Sequence, residues 1–480
     1  MIRASVIILA LLTGPVGAQT QPLSASDWLS GSVRAPVRES SAWRPVPRPP
    51  ERPAPRQPVA ASGAVGPVTV TRLDRVNADT VGTMTARRAG LPPDLWQGSD
   101  PDDVARLIRQ TPARLGAMQY LLRRVLTAQL PPPEMGSETG ANGGLFLARA
   151  DRLLDMGALD QAQALLLSAG PAEPETFRRL FDIALLEGDE ARACAIMNDT
   201  PGIAPSFAAR IFCLAQGGDW AAAAITLNGA ESLGLIDDQQ ALLMTHFLDD
   251  AYVDTGTHLD PSGPMTPLQF RLHEAIGQPL PTMPLPIAFA QSDLRMNGGY
   301  KARLEAAERL ARAGAIPPDR LRQIYGEQRP AASGGVWERA GAMRTLEAGL
   351  TSGDVSQALP RAFDEFRRAG MAGVLAGMVA ADLPPDTDGR AGDITRMLRQ
   401  WVGLKATATT PPLPIPEAIP PDTRKGQALL AAMADIDAAI DGDMHRAARG
   451  IAMLRALGLK PDADRAAAQV RLLPQMNDGM

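Results

Sequence analysis

Between Gly144 and Gly234 the sequence makes the same move three times. An apolar stripe with helical spacing runs into a glycine, an aspartate follows, and alanines come next. Phe146, Ala150, Leu153 and Leu154 form the first stripe. Phe177, Leu180, Phe181, Ala184 and Leu185 form the second, and Phe207, Ile211, Phe212 and Ala215 the third. Apolar residues at i, i+4, i+7 and i+8 are the buried face of an amphipathic helix. Gly157, Gly188 and Gly218 supply the left-handed residue that ends a helix at low cost. Asp160, Asp189 and Asp219 are placed to cap the returning helix and to complement its positive end. The alanine pairs Ala162/Ala164, Ala191/Ala193 and Ala221/Ala223 let two helices cross closely. The aspartates are 29 and 30 residues apart. Three consecutive helical hairpins are therefore predicted.

The junction recurs at Gly353-Asp354, with Ala358 following, and at Gly442-Asp443, with Ala447 following. Asp100-Pro101-Asp102-Asp103 predicts an earlier helix start, with proline at the first helical position and acids in the first turn. Helical patterns fill most of the remaining chain, and alternating strand–helix patterns are absent. The expected class is all-α: a right-handed α-solenoid of helical hairpins. The expected parts are repeats over 67–275 behind a short lead-in, further repeats over 276–410, a proline-rich linker over 411–422, and a last hairpin unit over 423–480. A stack of repeats grows in one dimension, each unit meeting only its neighbours. Val68–Leu73 reads as a short extended strip, and Met476–Met480 as a fraying end.

Ahead of the repeats, Arg3, the apolar run Val6–Leu12 and the small residues Val16-Gly17-Ala18 read as a signal peptide, with the mature chain beginning at Gln19. That run is too short to span a bilayer, and no cysteine follows the cut. Only four lysines, with abundant glycine, alanine, proline and arginine, suggest a GC-rich bacterial genome and hence the periplasm. Residues 19–66 have no periodicity. Proline interleaved with arginine there cannot bury a core and reads as a disordered arm. Six arginines against two glutamates give residues 34–58 a charge of +4, and Arg3 balances Asp27 over residues 1–33; with a net charge of −5 overall, the body carries −9. The arm reads as a tether, with docking on an acidic partner as the alternative, to which Trp28 and Trp43 lend some weight.

The hairpins resemble tetratricopeptide-like and related α-solenoid repeats. The resemblance rests on Leu153-Leu154, Gly157, Asp160 and Ala162 and on the two junctions that follow. It departs from that family in its shorter period and in lacking the tryptophan and tyrosine of the first helix. It implies an architecture and a binding surface, not a reaction.

Motifs for chemistry are sparse. Gly136–Gly144 is glycine-rich but has neither the lysine nor the strand–helix setting of a phosphate loop. No nucleophile elbow and no Ser-x-x-Lys occurs. His246, His258 and His273 fall near Asp249, Asp250, Asp254 and Asp260, but without the spacing that converges ligands on a metal; they read as surface residues. Glu231-Ser232 is the pair a lytic transglycosylase would use, yet no compact catalytic domain follows it. Isolated arginine pairs on an acidic body argue against nucleic acid. No catalytic, cofactor or metal residue is assigned. The predicted role is a non-enzymatic exported scaffold binding protein or cell-envelope partners, with no transmembrane segment in the mature chain. The alternative is a peptidoglycan-acting enzyme that uses the superhelix to hold its substrate, which would need a pocket lined by perturbed acids.

Cys194 and Cys213 are the only cysteines. They sit on either side of a turn containing Pro201-Gly202, at similar heights on two antiparallel helices. Two readings stand: a disulfide clamp, worth roughly 3 kcal/mol by chain entropy, or two buried thiols packed as small apolar groups.

Overall fold

The computed structural model describes residues 28–29, 77–133, 143–170, 173–249, 258–261, 263–295, 298–385, 387–404 and 424–477. The signal peptide, the arm apart from Trp28 and Leu29, Val68–Leu73 and the linker 411–422 lie outside them. The described chain is all-α apart from one parallel pair, β1 (Met84–Thr85) with β2 (Ala128–Gln129). Among the described residues no helix is long and apolar enough to cross a membrane.

The first helices are α1 (Pro101–Gln110), α2 (Gly116–Thr127), α3 (Gly144–Asp155), α4 (Leu159–Ala169) and α5 (Pro174–Glu187). Asp100 caps α1 through the amides of Asp102 and Asp103. Five more helices form a lobe on α5: α6 (Glu190–Asp199), α7 (Phe207–Gln216), α8 (Trp220–Ser232), α9 (Asp238–Leu248) and α10 (Pro267–Ala275), with α10 folding back onto α5. Helix α5 therefore serves two cores. Phe177, Phe181 and Leu185 face the lobe, while Leu180, Ile183 and Leu186 face the main core. A 3-10 helix, Ile287–Leu294, returns the chain along α3 and α5. Then come α11 (Tyr300–Arg312), α12 (Pro318–Glu327), α13 (Val336–Ser352), α14 (Ala358–Arg368), α15 (Ala372–Val379) and α16 (Gly389–Trp401). The last hairpin is α17 (Lys425–Asp437) with α18 (Met444–Ala456), and α19 (Lys460–Met476) ends the chain.

Every junction glycine is left-handed, with φ of 71° at Gly157, 83° at Gly188, 84° at Gly218, 81° at Gly353 and 86° at Gly442. The aspartates differ. Asp219 and Asp443 accept from the amides of Ala222 and Arg446 and cap their helices. Asp189 occupies the cap position without a side-chain hydrogen bond. Asp160 does not cap at all: its helix starts one residue earlier, and it stands in the first turn, where its charge still faces the positive end. Asp354 closes a turn on the amide of Ser356, ahead of α14. The constant spacing runs from the glycine. Ala162, Ala193, Ala223 and Ala447 each lie five residues after it and are buried, whereas Ala164, Ala191 and Ala221 are exposed. The glycine sets the rotation of the returning helix, and only one alanine per hairpin meets its partner.

The expectation that each unit meets only its neighbours is corrected. Helix α17 packs on α1 and α2, and α19 packs on α2 as well as α16. Asp437, fully buried, accepts from the backbone amides of Arg114 and Leu115, both at 2.8 Å, and pairs with the Arg114 guanidinium at 2.9 Å. Gln469 accepts from the amide of Ala117 and donates to the carbonyl of Trp401. The chain's end is thus bound to its beginning, and the main core takes residues from 28 to 476 across all three expected parts. Met476, expected to fray, is buried in it.

Trp28 and Leu29 are buried in the same core, with Trp28 edge-on to Phe289 at 5.6 Å between ring centroids. The arm is therefore not a free tether over its whole length. Cys194 on α6 and Cys213 on α7 are bonded, with Cα atoms 5.1 Å apart. Thiol titration of unreduced, denatured protein is accordingly expected to find no reactive thiol; two per chain would refute the clamp.

Candidate functional site

The closure that joins the two ends also shapes a cleft that is open to solvent on one side. Helices α2, α4, α11, α12, α15, α16 and α19 surround a cavity of about 700 Å3. Each contributes for a local reason. Gly314, left-handed between α11 and α12, brings its backbone against α2: a Cβ there would stand 2.6 Å from the side chains of both Arg123 and Gln119. Gly373 lets α15 approach Trp401 so closely that a Cβ would lie 2.9 Å from the indole nitrogen. A second cavity of about 430 Å3 shares Tyr120, Arg123 and Gln161 with the first and extends it toward Arg88.

The lining is cationic. Arg114, Arg123, Arg312 and Arg465 face the main cavity, and among the described residues no aspartate or glutamate lines it. Arg114 is already neutralised by Asp437 and Asp441. Arg123 donates to the carbonyl of Gly314, and burial pushes its guanidinium below the ordinary arginine range. Arg465 stacks on Tyr120 at 5.1 Å from the ring centroid, opposite Arg124, which is tied to Asp462. Arg123, Arg312 and Arg465 thus have no carboxylate partner among the described residues. The remaining wall is mixed: Ile316, Val374, Trp401, Leu473 and Met476 are apolar, and Gln119, Gln161, Gln469 and Asn477 are polar. One buried amide oxygen, Oε1 of Gln161, lacks a partner. Such a space can hold a ligand of drug-like size and neutralise more than one negative charge on it.

The other cavities are less suited. One of about 740 Å3 lies between α12, α13 and α15, but its central Arg322 is occupied by Glu347 and Asp382 at 2.5 Å each. A third, of about 250 Å3, is lined by His258 and His273. The reading of the histidines as surface residues is corrected for two of them. His246 and His273 are buried, and burial lowers the His273 pKa, so it stays neutral at pH 7. His258 is exposed, while Asp250 and Asp254 lie outside the described residues. Among the described residues no group of three potential ligands could hold a metal ion. Glu231 is exposed near the end of α8.

None of the cysteines or junction residues singled out by sequence lines the central cavity. Cys194, Cys213, Gly188, Asp189, Gly218 and Asp219 belong to the lobe, and Gly353, Asp354, Gly442 and Asp443 shape distant turns; Asp160 alone touches the adjoining space. The junctions do bring one set of acids together. Glu187, at the end of α5, has its pKa pushed up to about 7 by burial and by the neighbouring charges of Asp160 and Asp189. Its folded value lies above the ordinary 4.5, so the protonated form is favoured by folding. That contribution is complete below pH 4.5 and is lost as pH rises through 7. The Glu187→Gln protein should match the native one near pH 4 and exceed it at pH 8 by about 1–2 kcal/mol, the shift being discounted for partial exposure. Equal stability of the two proteins at pH 8 in urea melts would show that these acids do not interact. Glu187 lines none of the four cavities described.

No family model matches the chain, and neither a curated protein nor a solved structure does.

Proposed function

We propose that this chain is an exported, tetratricopeptide-like stack of helical hairpins, right-handed in its winding and closed end to end. In this reading it works in the periplasm as a non-enzymatic scaffold that binds a protein or cell-envelope partner. The observation that carries the reading is the central cavity: it is built by helices from both ends of the chain and lined by four arginines, three of which have no carboxylate partner among the described residues. A stack that serves only as a spacer has no use for such a space. Export rests on the residues of the N-terminal eighteen, and with it the bonding of Cys194 to Cys213 has its natural compartment.

The test is capture from a periplasmic extract with the native chain and with Val374→Trp, which fills the cavity from α15. A discrete partner retained by the native protein and lost by the variant, at unchanged melting temperature, is expected. Retention by both, or by neither, would overturn the cavity as the binding face.

A further inference from the structure

We infer that the central cavity receives a short acidic peptide segment, one that presents two or more carboxylates and an apolar side chain. This rests on the reading of the cavity as the binding face and adds the chemistry of what it binds.

Charge is the first argument. The body of the chain is acidic, yet among the described residues its cavity is lined by arginines and by no carboxylate. Burial disfavours the charge of Arg123, whereas Arg312 is exposed and Arg465 half-buried. Among the described residues Arg114 and Arg124 have carboxylate partners, Asp437, Asp441 and Asp462, and Arg123, Arg312 and Arg465 have none. An anionic group entering the cavity therefore meets positive charge that no neighbouring carboxylate offsets.

Placement is the second. The three unpaired guanidiniums come from three different helices, α2, α11 and α19. A chain carrying more than one anionic group can engage arginines from more than one of these helices. The planar fork of arginine matches a carboxylate with two parallel hydrogen bonds.

The rest of the wall is the third argument. Oε1 of Gln161, buried and unpartnered, can accept from a peptide N–H. Ile316, Val374, Leu473 and Met476 offer an apolar surface that a phosphate or a polyphosphate would leave unused. Carboxylates, an amide donor and an apolar side chain in one ligand of this size describe a peptide. It can be an internal segment of a protein or a free envelope peptide, since both carry this chemistry.

The full mature chain is titrated calorimetrically with a tetrapeptide of three glutamates and one leucine, once with both ends capped and once with both free. Binding that weakens with added salt is expected, and stronger binding of the capped or the free form identifies the source. Arg312→Gln, at an exposed position, and Arg465→Gln, at a half-buried one, should each weaken binding about tenfold at an unchanged melting temperature, the loss of one charged hydrogen-bonding partner. A lysine version of the peptide should not bind, and inorganic phosphate at equal concentration should not compete. Three results would overturn the assignment: no binding at millimolar peptide by protein with a native melt, undiminished binding by both variants, or phosphate binding as well as the peptide. If Val374→Trp still abolishes capture of a partner while the acidic peptide fails to bind, the ligand class falls and the binding face stands. If capture fails as well, both fall.

Discussion

Asp437→Ala is expected to lower the stability of the whole chain by about 3 kcal/mol, the sum of two buried amides left without an acceptor and a lost ion pair. The carboxylate is fully buried and accepts from Arg114 N, Leu115 N and the Arg114 side chain. Arg114 itself is half exposed and keeps Asp441, so its charge can be resolvated at little cost. The two amides cannot, because they lie where α2 begins under α17. Asp437→Asn separates these contributions. Its amide oxygen can still accept from both N–H groups, so only the ionic part is lost, and about 1 kcal/mol is expected. Urea unfolding followed by circular dichroism measures both. The native chain should melt in one transition. In Asp437→Ala the ends are released, and the hairpin α17–α18 should unfold ahead of the rest, giving a broader melt. An alanine variant that is no weaker than the asparagine one would show that the amides are satisfied otherwise and that Asp437 does not hold the ring shut.

This contact also marks the limit of what the sequence could reveal. The hairpins were legible because their signals are local: an apolar stripe fixes the buried face, and a left-handed glycine fixes the stop. Helix α13, Val336–Ser352, stops at the junction glycine Gly353 that the sequence marks. Ile287–Leu294 winds as a 3-10 helix, where Pro284 and Pro286 crowd its start. The ring closure was not legible. Arg114 and Asp437 are 323 residues apart, and neither differs in its local setting from a solvated charge. The same blindness hid the cavity. Nothing local marks Arg123, Arg312 and Arg465, because their lack of carboxylate partners among the described residues is a fact about three helices at once. Isolated arginine pairs such as Arg123-Arg124 split their roles, one facing the cavity and the other bound to Asp462. Trp28 is a middle case. A tryptophan in a polar arm pointed to docking, and its partner Phe289 could only be found in three dimensions.

The largest single loss is expected at Arg149, on α3. Its side chain is 2% exposed and, among the described residues, forms no ion pair with a carboxylate. Its guanidinium instead donates to four backbone carbonyls: Leu126 and Ala128 at 2.8 Å, Val81 at 2.8 Å and Asp79 at 3.3 Å. These carbonyls belong to the lead-in strip and to the end of α2, the two segments that carry β1 and β2. A two-residue parallel pair cannot hold itself together, so the arginine, together with Asp79, which accepts from the amides of Gly143 and Phe146, fixes the lead-in over the first helices. Burial pulls its pKa down to about 10, which still leaves it charged at pH 7. Arg149→Met keeps the length of the side chain and removes the cost of burying the charge. That gain offsets part of the damage, but the four carbonyls remain without donors, at about 1–3 kcal/mol each. A net loss of about 4 kcal/mol or more is expected. Arg149→Lys should recover little of it, since an ammonium is a point charge with no planar fork to span carbonyls on two segments. Protease digestion gives a second readout: cleavage in 77–100 should become fast in Arg149→Met while the lobe α6–α10 stays protected. If Arg149→Met instead melts within 1 kcal/mol of the native chain, a loss no larger than one ordinary hydrogen bond, the carbonyls have found other donors and the arginine is not the pin that holds the lead-in.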